Sequence, residues 1–133
     1  MGAWGVKPFE NDDAADFVYQ VESDGLDAIL AGLDAAATAD YCEADQGAQA
    51  VAAAALAAAA RDGQEDLLSR EAAEALATIR EAVLAKAGLA KLARRALRSV
   101  RGPGSELVDL WADSDEADAW NAVIDDLMER LSE

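Results

Sequence analysis

The sequence predicts an all-α protein, a compact bundle of about six helices with an ordered, non-helical N-terminal arm. Apolar residues recur at i, i+3, i+4 and i+7 almost everywhere after residue 11. No stretch alternates strictly between apolar and polar residues or is enriched in β-branched ones, as a strand requires. The run AQAVAAAALAAAARDG combines the best helix former with a continuous apolar stripe. At 133 residues the chain fits a single domain, 1–133, and neither a linker nor a fixed-period repeat divides it.

The elements follow in order. In the arm, residues 1–10, Gly2 and Gly5 open backbone conformations closed to other residues, and Pro8 blocks an early helix. Trp4 and Phe9 are its apolar anchors, with Phe9 placed like a hydrophobic staple two positions before Asn11. Asn11 is an N-cap for a helix over about 12–21, with Asp12 and Asp13 facing the positive end of its dipole. Gly25 ends that helix, and Leu26, Ile29, Leu30 and Leu33 mark a second over about 25–37.

The third helix, about 41–61, carries Ala44, Ala48, Val51, Ala52, Ala55, Leu56 and Ala59 on one stripe and belongs at the bundle centre; Gly63 closes it. A fourth follows Ser69 over about 69–87, with Ala72, Leu76, Ile79 and Val83 inward. Gly88 separates it from a fifth over 89–100, with Leu89, Leu92, Ala96, Leu97 and Val100 inward. After RGPGS, Ser105 caps a short helix over about 105–112 that bears Trp111. Asp113 and Glu116 offer a capping box for the last, about 114–132, which carries Trp120, Val123, Ile124, Leu127 and Leu131. Trp111 and Trp120 are apolar anchors for these two helices, and the arm is expected to bring Trp4 close to one of them.

Composition excludes much chemistry. With no histidine there is no Ser-His or Cys-His nucleophile pair and no His-ligated metal. Cys42 is the one cysteine; it follows Asp40 and Tyr41, has no imidazole partner, and reads as a structural thiol with a raised pKa. No cofactor motif is present, and no metal or cofactor is expected. The net charge of -16 disfavours DNA and an anionic membrane. There is no leader and no apolar run of membrane-spanning length, so a cytoplasmic protein is expected. Met1-Gly2 resembles a myristoylation start, but Val6 occupies the position that motif reserves for Ser or Thr.

GAWG followed by PFENDDAADF, then YCEADQGAQAVAAAALAAA and GSELVDLWADSDEADAWNAVIDDLMERL, closely resembles a bacterial family, domain of unknown function 4259, over nearly the whole chain. The resemblance implies no activity, cofactor or catalytic residue. Lys7 departs from the small residue, usually glycine, expected before Pro8 and Phe9.

Charge is the most informative feature. Residues 1–60 hold eleven acids and one base, residues 61–101 six acids and nine bases, and residues 102–133 ten acids and one base. Lys86, Lys91, Arg94, Arg95, Arg98 and Arg101 follow one another with no acid between, and Lys91, Arg94, Arg95 and Arg98 share a helical face. Internal complementarity is the leading expectation, the stripe meeting acids of the flanking segments. An acidic protein partner, a phosphate-bearing ligand or RNA, and a membrane surface are the competing readings. The acidic ends themselves suit an inhibitor, an immunity factor or a nucleic-acid mimic seated on a basic surface.

The leading functional expectation is therefore a non-enzymatic, acidic interaction protein. The alternative is a Mg²⁺-dependent nucleotide pyrophosphatase, because Glu71-x-x-Glu74 and Glu106-x-x-Asp109 are two carboxylate pairs at one-face helical spacing. They loosely resemble the all-helical pyrophosphatases of the MazG type, with a longer interval between the pairs. The resemblance implies that all four carboxylates converge on one ion.

Overall fold

A computed structural model describes residues 5–132, with seven helices and no strand among them. They are α1 (Asp12–Asp24), α2 (Leu26–Thr38), α3 (Ala44–Asp62), α4 (Arg70–Ala85), α5 (Leu89–Val100), α6 (Glu106–Ala112) and α7 (Ala117–Arg130). Gly2 and Trp4, and with Trp4 its expected approach to Trp111 or Trp120, lie outside the described residues.

Asn11 caps α1 as its side-chain amide allows, the Ala14 N–H donating to Oδ1 at 2.8 Å. The helix runs one turn past the expected end at Val21, because Gly25, at φ 62, accommodates the sharp junction with α2 that no other residue adopts freely. Ser69 and Ser105 cap α4 and α6 through their hydroxyls. Gly63 and Gly88 take left-handed conformations, at the end of α3 and the start of α5 respectively.

Two further boundaries differ from expectation. The third helix starts at Ala44 rather than Tyr41, because residues 41–43 are used to dock the loop before α6. There the Cys42 N–H donates to the Gly104 carbonyl at 2.7 Å, and the Glu106 N–H donates to the Cys42 carbonyl at 2.9 Å. A side chain at Gly104 would strike the Asp40 carbonyl at 2.8 Å, so glycine is required by the close approach. The last helix starts at Ala117, and the expected Asp113–Glu116 capping box does not form. Asp113 instead closes α6, and the turn is held by the Ser114 hydroxyl accepting from the Glu116 N–H at 3.0 Å.

α3 touches every other helix and is buried on all sides rather than along one stripe; its residues from Ala50 to Ala60 form the middle of the core. Alanine makes this possible. A helix with little side-chain volume lets six neighbours approach at once, and the bulk is supplied by Phe17, Ile29, Leu33, Leu76, Leu97, Ile124 and Leu127 from the surrounding helices. At Gly32 the approach is close enough that an added methyl would press on the Phe17 ring at 3.3 Å.

Side chains from distant helices satisfy the two ends of α3. At its start the Glu106 carboxylate accepts from the Ala44 N–H at 2.8 Å. At its end the Arg80 guanidinium donates to the carbonyls of Ala59 and Ala60 at 2.9 and 3.1 Å. Beside it Arg130 grips Asp62 through two N–H groups at 2.7 and 3.0 Å and donates to the Gln64 carbonyl at 2.9 Å.

Candidate functional site

α5 is amphipathic because its apolar residues fall on one side, and Leu89, Ala93, Ala96, Leu97 and Val100 are buried against α2 and α3. The same periodicity turns Lys91, Arg95 and Arg98 outward, all exposed, and leaves Arg94 half-buried. The expected internal complementarity is met at the end of the run, where Arg101 pairs with Asp125 of α7, but not along the outward face. Among the described residues none of these four bases has a carboxylate oxygen within 4.0 Å, nor does Lys86 or Arg61. Arg70, Arg80, Arg101 and Arg130, by contrast, all have acidic partners.

The physical reason lies in the elements next to α5. It packs on α2, α3, α6 and α7, and the clefts along it are lined mostly by small and apolar groups. Among the described residues Asp40 is the one acid there, and it lies beyond ion-pair distance of Arg95 and Arg98. Lys91, Arg94 and Arg98 line one cleft of about 470 Å³ with Leu131 and Ser132. Arg95 and Arg98 line a second of about 330 Å³, closed by Asp40, Cys42 and the 102–104 loop. Lys86 and Arg61 border a third of about 380 Å³ between the end of α3 and the α4–α5 junction. The clefts adjoin: Arg98 is common to the first two, and Arg61 donates to the Ser132 carbonyl at 3.1 Å, linking the first to the third.

Local helix physics does not favour this placement. The first turn of α5 contains no acid and carries Lys91, so a cation sits at the positive end of the helix dipole. Within the first cleft the Arg94 Nε–H is buried and has no acceptor, a condition that folded proteins seldom tolerate.

The four carboxylates of the pyrophosphatase reading are not gathered. Glu71 and Glu74 stand exposed on α4, with Glu74 paired to Arg70 at 3.5 Å. Glu106 is engaged at the start of α3, and Asp109 is exposed on α6. Among the described residues no three His, Cys, Asp or Glu side chains lie close enough to share a metal ion.

Residues 5–9 and the two carboxy-terminal tryptophans form a separate, mainly apolar region. Trp111 and Trp120 stack with ring centroids 6.2 Å apart and planes 15° from parallel. Gly5, Val6, Lys7 and Pro8 border the same crevice of about 50 Å³ as both indoles, and Phe9 is buried beside the Asn11 cap. Cys42 is buried, and burial, with Asp45 adding to it, pushes its thiol pKa up, away from nucleophilic use.

Sequence periodicity places the four bases of α5 on one face but does not reveal their cleft. Leu131 and Ser132 are more than thirty positions from Arg98, and the packing of α7 against α5 has no local signature. No helix is long and apolar enough to cross a membrane among the described residues.

Together these features define a class: an all-α bundle with an inert core helix, a predominantly acidic surface and one outward-facing cationic helix. The chain belongs to the family described as Domain of unknown function (DUF4259), whose sequence profile matches residues 2–123. No curated protein and no solved structure matches it.

Proposed function

We propose that the chain is a non-enzymatic interaction protein of the cytoplasm, of the inhibitor or immunity-factor kind, and that the basic face of α5 docks an acidic partner. The observation that carries this reading is the absence of acidic partners within ion-pair distance of Lys91, Arg94, Arg95 and Arg98 among the described residues, in a chain with 27 acids. Clustered cations on a low-dielectric apolar base steer an anionic surface and set its register. The surrounding negative field rejects partners that do not place acids directly on α5.

The test is capture of a partner from native lysate by the intact protein and by two charge-reversal variants. Arg95→Glu should abolish retention of the captured protein, while Arg70→Glu, an equal charge change on α4, should leave it in place. Equal retention by both variants would remove α5 from the interface. Hydrolysis of nucleoside triphosphates that requires Mg²⁺ and is lost in Glu74→Gln would overturn the non-enzymatic reading.

A further inference from the structure

We infer that the cleft between α5 and the end of α7 is a binding site for a phosphate monoester. The inference rests on α5 being an outward-facing ligand surface, and it names the chemical group that this part of the surface takes. Lys91, Arg94 and Arg98 line the cleft with Leu131 and Ser132, and among the described residues no acid does. The serine adds no free donor or acceptor of note: its hydroxyl donates to the Glu129 carbonyl at 2.6 Å and its carbonyl accepts from Arg61 at 3.1 Å. Among the described residues, what the cleft presents is therefore almost entirely positive charge without an acidic partner.

Arg94 is the decisive residue. Its Nε–H is buried without an acceptor, although the side chain as a whole is half-buried and borders the cleft. That atom is shut away from the cleft itself, but among the described residues the terminal N–H groups of the same guanidinium are also without an acceptor and are not buried. An oxyanion in the cleft would engage these, since guanidinium forks recognise phosphate oxygens two at a time. Three cations in one cleft match a dianion better than a single carboxylate, which separates phosphate from the side chains of Asp and Glu. A cleft of about 470 Å³ has room for more than the phosphoryl group. Its wall is the aliphatic Leu131 and holds no aromatic ring, so a nucleobase would have only guanidinium planes, which the phosphate already engages, to stack on. Recognition then falls on the phosphate and its attached aliphatic body.

The experiment follows the Arg Nε–Hε signals of the full chain by NMR as inorganic phosphate is added at constant ionic strength, with acetate as the comparison anion. The Arg94 signal should shift and saturate with phosphate at a concentration at least tenfold below that needed with acetate. Arg94→Gln and, independently, Arg98→Gln should each weaken phosphate binding at least tenfold, and Arg70→Gln should change it less than twofold. Glycerol 3-phosphate and a phosphoserine peptide then distinguish the sources, and tighter binding of either than inorganic phosphate supports the site and names its ligand. Non-saturating shifts, acetate equal to phosphate, or equal loss in Arg70→Gln would overturn it. Should phosphate fail while Arg95→Glu still abolishes partner capture, the cleft assignment falls and the docking reading stands. Saturable phosphate binding with capture indifferent to Arg95→Glu does the opposite, keeping the phosphate site and removing the docking reading.

Discussion

The cations around α3 and those along α5 come from the same residue types in the same chain, yet they are used in opposite ways. Arg80 and Arg130 reach the end of α3, where carbonyls and Asp62 wait for them. Lys91, Arg94, Arg95 and Arg98 lie along the flank of α5 with no acid in reach among the described residues. A cation at a helix terminus completes backbone groups that the helix itself leaves open. One on a helix flank has no such backbone demand to meet, and its partner is a side chain, one turn away as Glu74 is to Arg70 or from another element; α5 contains no acid of its own. What a cation faces, the open end of a neighbouring helix or a cleft without acids, thus separates the arginines that hold the fold from those available to a ligand.

That separation can be broken from either side. The largest effect should come from crowding the element that the structural cations secure: Ala55→Leu, in the middle of α3, should cost about 1–3 kcal/mol in a urea unfolding series through overpacking. An unchanged midpoint would mean that α3 is not the centre of the core. Next, Arg130→Met should cost about 1.5–2 kcal/mol, the usual worth of hydrogen bonds to a charged group, because it strands Asp62 in a partly buried site.

The same pair sets an acid limb. Hydrogen bonding to Arg130 holds the Asp62 pKa below its ordinary value. Its contribution is therefore complete above an unfolded carboxyl pKa of about 3.9 and is lost as pH falls from there through the lower folded value. Asp62→Asn should flatten the pH dependence of unfolding free energy in that window, and an unchanged slope would detach Asp62 from it. The smallest effect should be Arg95→Gln, within about 0.5 kcal/mol of the parent in the same urea series. A loss as large as that of Arg130→Met would show that α5 carries structural charge after all.

Much of this architecture is legible in the sequence. Asn11, Gly25, Gly63, Ser69, Gly88 and Ser105 each stop or start a helix for a local reason, and they do so here. Where the boundary depends on distant chain it is not legible: residues 41–43 look helical in isolation and are taken instead by the loop at Gly104. Asp113 and Glu116 have the spacing of a cap, but the turn between α6 and α7 uses Ser114. The four bases of α5 are visible as a stripe, whereas pairing depends on which acids the fold brings near. Glu106 illustrates the same limit, since nothing local says that a carboxylate spaced like a metal ligand will serve the start of α3.

The alanine helix has a consequence for the order of assembly. Its own hydrogen bonds are local, and alanine lets them form without help from other elements. The groups that secure it are remote: Glu106 is 62 positions from Ala44, and Arg130 is 68 from Asp62. Loop closure over such distances is slow compared with helix growth. On the emerging chain α3 is therefore complete long before Glu106 and Arg130 have been synthesised, with Arg80 the first of its fastenings to follow. Until they arrive, its bare alanine surface must be shielded by α1 and α2, then by α4 and α5.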